Sequence, residues 1–145
     1  AGGGGGTWGC RGGTRAGVRG RPADLASLHR RIVEVSDRVE EGDAVGYSEL
    51  NPRFHQRIWA TAEHPTASRL VSGLKSQSIR FQYQTIMRPG RTVRSLREHE
   101  AIFNAIKAHD PAAAEAAMRE HLAEVVETLR WAMEGQRPTA GWLPG

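Results

Sequence analysis

Only one cysteine, Cys10, occurs in the chain, so no internal disulfide can form, and a reducing cytoplasm is the expected compartment. No apolar run approaches the roughly 20 residues that a membrane-spanning helix needs, and the N-terminal residues lack the apolar h-region of a secretory signal. No segment sustains an alternation of apolar and polar residues, so no strand is expected. The motifs of two metal chemistries are also missing. The His-Glu-x-x-His of zinc proteases is absent. A di-iron carboxylate centre needs a glutamate three residues before a histidine on two helices, but Pro52, Leu96 and Met118 stand three before His55, His99 and His121. No nucleophile stands out: Cys10 lies in a glycine-rich stretch, and Ser95 reads as a helix cap. Glu98 and Glu100 flank His99 but point away from it by helical geometry, so no general base is apparent for a metal-bound water.

The formal net charge of +4 is unevenly spread. Arg11, Arg15, Arg19 and Arg21 lie in residues 1–21 without an acid among them, and the other basic residues balance the 16 acidic ones. A nucleic-acid footprint is a basic stripe on a folded surface. Here the excess sits on a tail, so the folded part has no electrostatic reason to bind DNA by itself. Residues 1–20 hold ten of the 17 glycines, including the run Gly2 to Gly6, and glycine loses the most entropy on ordering. The sequence therefore divides into a Gly/Arg-rich disordered tail over 1–21, a helical domain over 22–135 and a flexible C-terminal tail over 136–145. The first tail reads as a solvated segment or a basic nucleic-acid arm. Trp142 in the second could dock onto the domain.

What is present between the tails is helical periodicity. Leu25, Leu28, Ile32, Val35 and Val39 recur three and four apart, predicting a helix over 22–41 that opens at Pro22 and ends at Gly42. A second helix over 48–62 starts at Ser48 and carries Leu50, Phe54, Ile58 and Trp59, until His64-Pro65 breaks it. A third is expected over 66–87 and stops at Pro89-Gly90. Ser95-Leu96-Arg97-Glu98 reads as a capping box that opens a fourth over 95–108. Asp110-Pro111 then caps and opens a fifth, which runs to 134. The 145 residues thus describe an all-α fold, an antiparallel bundle of five to six helices with one moderate core.

Six histidines fall into two groups. His64 and His109 sit at helix ends, and His29 lies one position off the apolar seam of the first helix. His55, His99 and His121 lie on the apolar faces of three different helices: His55 with Ile58 and Trp59, His99 with Ile102, Phe103 and Ile106, His121 with Met118, Leu122 and Val125. A buried imidazole needs a partner for each ring nitrogen. One such residue is ordinarily a hydrogen-bonded core histidine. Three of them satisfy the requirement either separately, by hydrogen bonds, or together, by sharing a divalent metal ion. Asn51 lies four residues before His55, on the same helix face, where it reads as a neutral fourth oxygen ligand or as a helix-start amide.

The segments Leu50-Asn51-Pro52-Arg53-Phe54-His55-Gln56-Arg57-Ile58 and Ser95-Leu96-Arg97-Glu98-His99-Glu100-Ala101-Ile102-Phe103-Asn104-Ala105-Ile106, with Asp110, Ala113, Ala117 and His121-Leu122, resemble the effector domain of the FadR-type branch of the GntR family of bacterial transcription regulators. The resemblance runs from about Leu25 to Ala132 and extends to the intervals of 44 and 22 residues between the three histidines. It implies a homodimeric helical bundle that binds a small organic acid, often through zinc or nickel held by an aspartate and three histidines. It also implies an N-terminal winged helix-turn-helix that enters operator DNA. Carried over, the ligands are Asn51, His55, His99 and His121. Position 51 is commonly aspartate in the family and is neutral here, which weakens metal binding and favours an anionic effector. The resemblance places the DNA-binding domain and a first bundle helix before Leu25, and the tail cannot supply them, so the chain reads as a fragment of a longer regulator. Arg80 and Arg94 are candidates for the far end of the effector, because arginine offers a fixed fork to a carboxylate, although either can be a surface arginine.

The reading is therefore a cytoplasmic ligand-sensing domain and not an enzyme. Two rivals remain: a metal-dependent hydrolase or lyase, and a structural dimerisation bundle whose histidines only hydrogen-bond.

Overall fold

The computed structural model describes residues 22–61, 69 and 84–135. Four helices make up nearly all of the two long described stretches: α1 (Pro22–Glu40), α2 (Ala44–Thr61), α3 (Arg91–Lys107) and α4 (Pro111–Glu134). No strand occurs among the described residues, and the fold is all-α. The expected helix over 66–87 lies mostly outside the described residues, which show helix at 69 and at 84–86. Both expected tails, His64 and Trp142 lie outside them as well.

Two short connections set the topology, and both are built in the same way. Gly42 and His109 follow α1 and α3 with φ of 69° and 53°. At the first turn Asp43 N–H reaches back to Arg38 C=O at 2.9 Å and Gly42 N–H to Val39 C=O at 3.2 Å. At the second, Asp110 N–H reaches Ala105 C=O at 3.1 Å and His109 N–H reaches Ile106 C=O at 3.0 Å. This is the pairing that closes a helix on a left-handed residue. An aspartate then caps the next helix: Asp43 Oδ1 accepts from Gly46 N–H at 2.8 Å, and Asp110 Oδ1 from Ala113 N–H at 2.9 Å. Connections this short make α1/α2 and α3/α4 antiparallel hairpins. The hairpins meet through α1 against α3.

Two expected helix starts are corrected. The second helix begins a turn before Ser48, because Asp43 supplies the cap; Ser48 Oγ instead donates to Val45 C=O at 2.8 Å. A Cβ at Gly46 would collide with the Asp43 side chain, so the cap depends on glycine there. Pro52 consequently lies inside α2, where it cannot donate to the Ser48 carbonyl. The fourth expected helix likewise starts at Arg91, not Ser95, after the left-handed Gly90 at φ 71°. Ser95 and Glu98 are therefore well inside α3, and no capping box forms.

The core joins all four helices. Leu28 and Ile32 from α1, Phe54 and Ile58 from α2, Ile102, Phe103 and Ile106 from α3, and Ala114 and Met118 from α4 form one buried cluster. Each large side chain in it contributes about 1.5–3 kcal/mol by leaving water. The expected α1 seam is borne out: Leu28, Ile32 and Val35 are buried, while Leu25 and Val39 are half-buried. A clip fixes α2 along α1, with Arg57 Nη2 donating to the buried Asp24 Oδ1 at 2.6 Å.

The two turns differ in one respect that can be measured. Gly42 adopts its positive φ freely, whereas His109 carries a Cβ that disfavours it. We expect His109→Gly to raise the unfolding free energy by about 1 kcal/mol in urea titrations, with the m-value unchanged. A loss of stability would show that the His109 ring makes a compensating contact.

Candidate metal centre

Each of the three inward histidines reaches the centre from its own helix: His55 from α2, His99 from α3 and His121 from α4. Their exposures are 8%, 1% and 3%. The ring centroids form a nearly equilateral triangle, with His55–His99 at 4.9 Å, His55–His121 at 5.0 Å and His99–His121 at 4.9 Å. One nitrogen from each ring lies within 4.8 Å of the others. Phe54 packs on His99 with centroids 4.5 Å apart, and Trp59 lies 6.3 Å from His55. These rings wall the cluster with apolar surface.

The donor set fits a divalent ion. Zinc–imidazole bonds of about 2.0–2.1 Å bring ligating nitrogens closer together than 4.8 Å, and small rotations of rings already grouped this tightly supply the difference. Asn51 adds a second observation. It is half-buried one turn before His55, its Oδ1 is fully buried, and no hydrogen bond among the described residues reaches that oxygen. An unsatisfied buried carbonyl costs on the order of 1–3 kcal/mol, which a cation would offset.

The polar surroundings are ordered by α3. Glu98 Oε2 lies 2.6 Å from His121 Nδ1, and both carboxylate oxygens accept from Arg91 at 3.0 Å. Burial alone pushes the Glu98 carboxyl up, but the hydrogen bonds from His121 and Arg91 and the Arg91 charge outweigh it and hold it below its ordinary value. Glu98 does point away from His99, as expected. Its contact is instead with His121 on the neighbouring helix, and sequence reasoning missed this. A usable signal was present, because Glu98 and His121 stand eleven and twelve residues on either side of His109, nearly opposite in an α3/α4 hairpin. Further along α3, Ser95 accepts a 2.6 Å hydrogen bond from the buried Tyr47 hydroxyl of α2.

Arg94 is on the surface, with its side chain 48% exposed and 3.4 Å from Glu124. Arg80 lies outside the described residues. His29 and His109 are exposed, and His29 stacks against Phe103 at 5.6 Å. None of the described helices is long and apolar enough to cross a membrane.

Comparison with known proteins places the chain in a family. The model of the FCD domain matches residues 10–124, which include all three histidines. The chain belongs to the FCD domain family. This FCD domain is 30% identical over 104 residues to the HTH-type transcriptional repressor RspR of Escherichia coli K12. It matches equally the uncharacterised HTH-type transcriptional regulator YdfH of Shigella flexneri. The match covers 72% of this chain but only 44% of each relative, so the chain spans less than half the length of the curated relatives it matches. An FCD domain with HTH-type regulators as relatives is a regulatory, ligand-sensing type of domain, as the sequence suggested.

Tyr47 supplies a probe of the polar layer beside the cluster. Burial raises its phenol above the ordinary value of 10.0, and the Ser95 hydrogen bond only partly opposes this. The unfolded chain therefore ionises first, so the stability this group contributes is present below about pH 10 and lost as pH rises through the folded value. Ultraviolet titration should show a late tyrosine step that disappears in Tyr47→Phe. A single step near pH 10 in both proteins would contradict the buried placement.

Proposed function

We propose that this FCD domain is the sensing part of a bacterial GntR-type transcription regulator, and that Asn51, His55, His99 and His121 hold a divalent ion, zinc or nickel, to which a small organic acid binds. The observation that carries the reading is the convergence of three buried imidazoles from three helices, with donor atoms within 4.8 Å. Among the described residues no thiolate joins the cluster, and imidazole with an amide oxygen suits zinc or nickel better than calcium or magnesium. Four neutral donors leave the ion's charge uncompensated, and an anionic effector would bring the missing charge. When bound, the ion would serve as a Lewis-acidic anchor for that carboxylate.

The residues of the chain do the rest. Phe54 and Trp59 exclude water beside the cluster. Arg94 would reach an effector only by leaving Glu124, and an exposed pair of this kind is worth about 0–1 kcal/mol, so the exchange is inexpensive. Arg80 is kept as the other candidate. Because the ion would touch α2, α3 and α4 at once, binding would favour one arrangement of the two hairpins over others. In a cytoplasmic homodimer that preference would be passed to winged helix-turn-helix domains on operator DNA. The domain itself is proposed to be non-enzymatic. Glu98, the carboxylate that touches His121 among the described residues, is committed to Arg91 and His121 and is poorly placed to serve as a general base.

Metal analysis and thermal unfolding test the reading. The chain should take up one equivalent of zinc or nickel, and His99→Ala and His121→Ala should take up none. A carboxylic acid at a hundredfold excess over its Kd should then add about 2.7 kcal/mol, a rise in Tm on the order of 5–10 °C, only in the metal-loaded protein. Equal metal content in wild type and variants would favour a structural bundle. Turnover of esters or hydroxy acids by the zinc form would favour a hydrolase or lyase.

A further inference from the structure

We infer that Glu98, clamped by Arg91, is the positioning residue that fixes which nitrogen of His121 is presented to the histidine cluster. The inference takes its purpose from the metal-holding reading, whereas its geometry stands without it. Arg91 Nη1 donates to Oε1 and Nη2 to Oε2, each at 3.0 Å, so the guanidinium fork fixes the plane of the carboxylate. Oε2 of that fixed carboxylate lies 2.6 Å from His121 Nδ1. An ionised carboxylate can only accept. Nδ1 therefore carries a proton, and in the neutral ring Nε2 keeps the lone pair that a cation would need.

The surroundings make this arrangement hard to replace. The side chains of Arg91, Glu98 and His121 are 6%, 11% and 3% exposed, so water is a poor substitute for any of the three. Arg91 and Glu98 are seven residues apart, two turns along one face of α3. The next residue, His99, enters the cluster directly. One helix thus provides both a ring of the cluster and the group that orients a ring from α4. Charge compensation is not the main contribution, because Arg91 and Glu98 together are neutral. The contribution is tautomer, ring orientation and basicity of Nε2, and loss of such an outer partner lowers metal affinity by about 10–100-fold. In a purely structural ion pair, Arg91 and Glu98 would satisfy one another, and His121 would gain no fixed tautomer.

Nitrogen-15 NMR of the metal-free chain, with labelled histidine, tests the geometry directly. His121 should show a single tautomer protonated at Nδ1; a proton on Nε2, or a mixture of tautomers, would overturn the inference whatever the outcome with metal. Zinc competition against a chromogenic chelator tests the purpose. Glu98→Gln keeps the shape but sets an amide donor against Arg91 or His121, and it should mix the His121 tautomers and weaken zinc binding at least about tenfold. Glu124→Gln, which touches only the exposed Arg94 pair, should bind zinc as wild type does. Unchanged zinc affinity in a folded Glu98→Gln would overturn the inference. If wild type itself binds no zinc, the metal reading fails, and the tautomer still decides the role of Glu98. If Glu98→Gln does not fold, the wild-type tautomer decides alone.

Discussion

Burying an imidazole obliges a protein to provide for both of its nitrogens, one a donor and one an acceptor in the neutral ring. This bundle buries three imidazoles side by side, next to aromatic rings and a half-buried amide. A core made only for stability would place apolar groups there, since polar networks are costly wherever a member is left unsatisfied. The rest of the molecule can be understood as the means of bringing those rings together and limiting their choices of partner.

Two hairpins of matched construction accomplish this. In each, the first helix closes on a left-handed residue and an aspartate caps the helix that follows, so each three-residue turn fixes both the direction and the register of its pair. Register is decisive in α3/α4, where it sets Glu98 against His121 while His99 faces the triangle. The α1/α2 hairpin brings His55 with Asn51 one turn earlier, and the clip from Arg57 to Asp24 holds α2 along α1. Among the described helices, α1 alone sends no histidine into the triangle. Its Leu28 and Ile32 instead join the core that supports the other three helices.

Much of this was legible in the residues. The seam of α1, the Asp110-Pro111 start of α4 and the inward faces of His55, His99 and His121 follow from three-and-four spacing and from local capping chemistry, both of which act within one helix. What was misread are two helix starts, and with them the inter-helix contacts of Ser95 and Glu98. Ser95 to Glu98 has the form of a capping box, but Gly90 starts the helix a turn earlier, which frees Ser95 for Tyr47 and Glu98 for Arg91 and His121. Ser48 resembles a cap in the same way, and Asp43 displaces it because glycine at position 46 leaves room for the aspartate side chain. Helix-start motifs are ambiguous when two occur five residues apart, and in both cases here a glycine lets the earlier one win.

The central claim is that the triangle of imidazoles is a binding site for an ion. Diffraction from crystals of the chain grown with zinc, measured on both sides of the zinc absorption edge, tests this most directly. The account predicts one anomalous peak between His55, His99 and His121, within bonding distance of Nε2 of His121 and with Asn51 Oδ1 turned toward it. An empty triangle at saturating zinc, with the three rings hydrogen-bonded to protein groups or water, would contradict it.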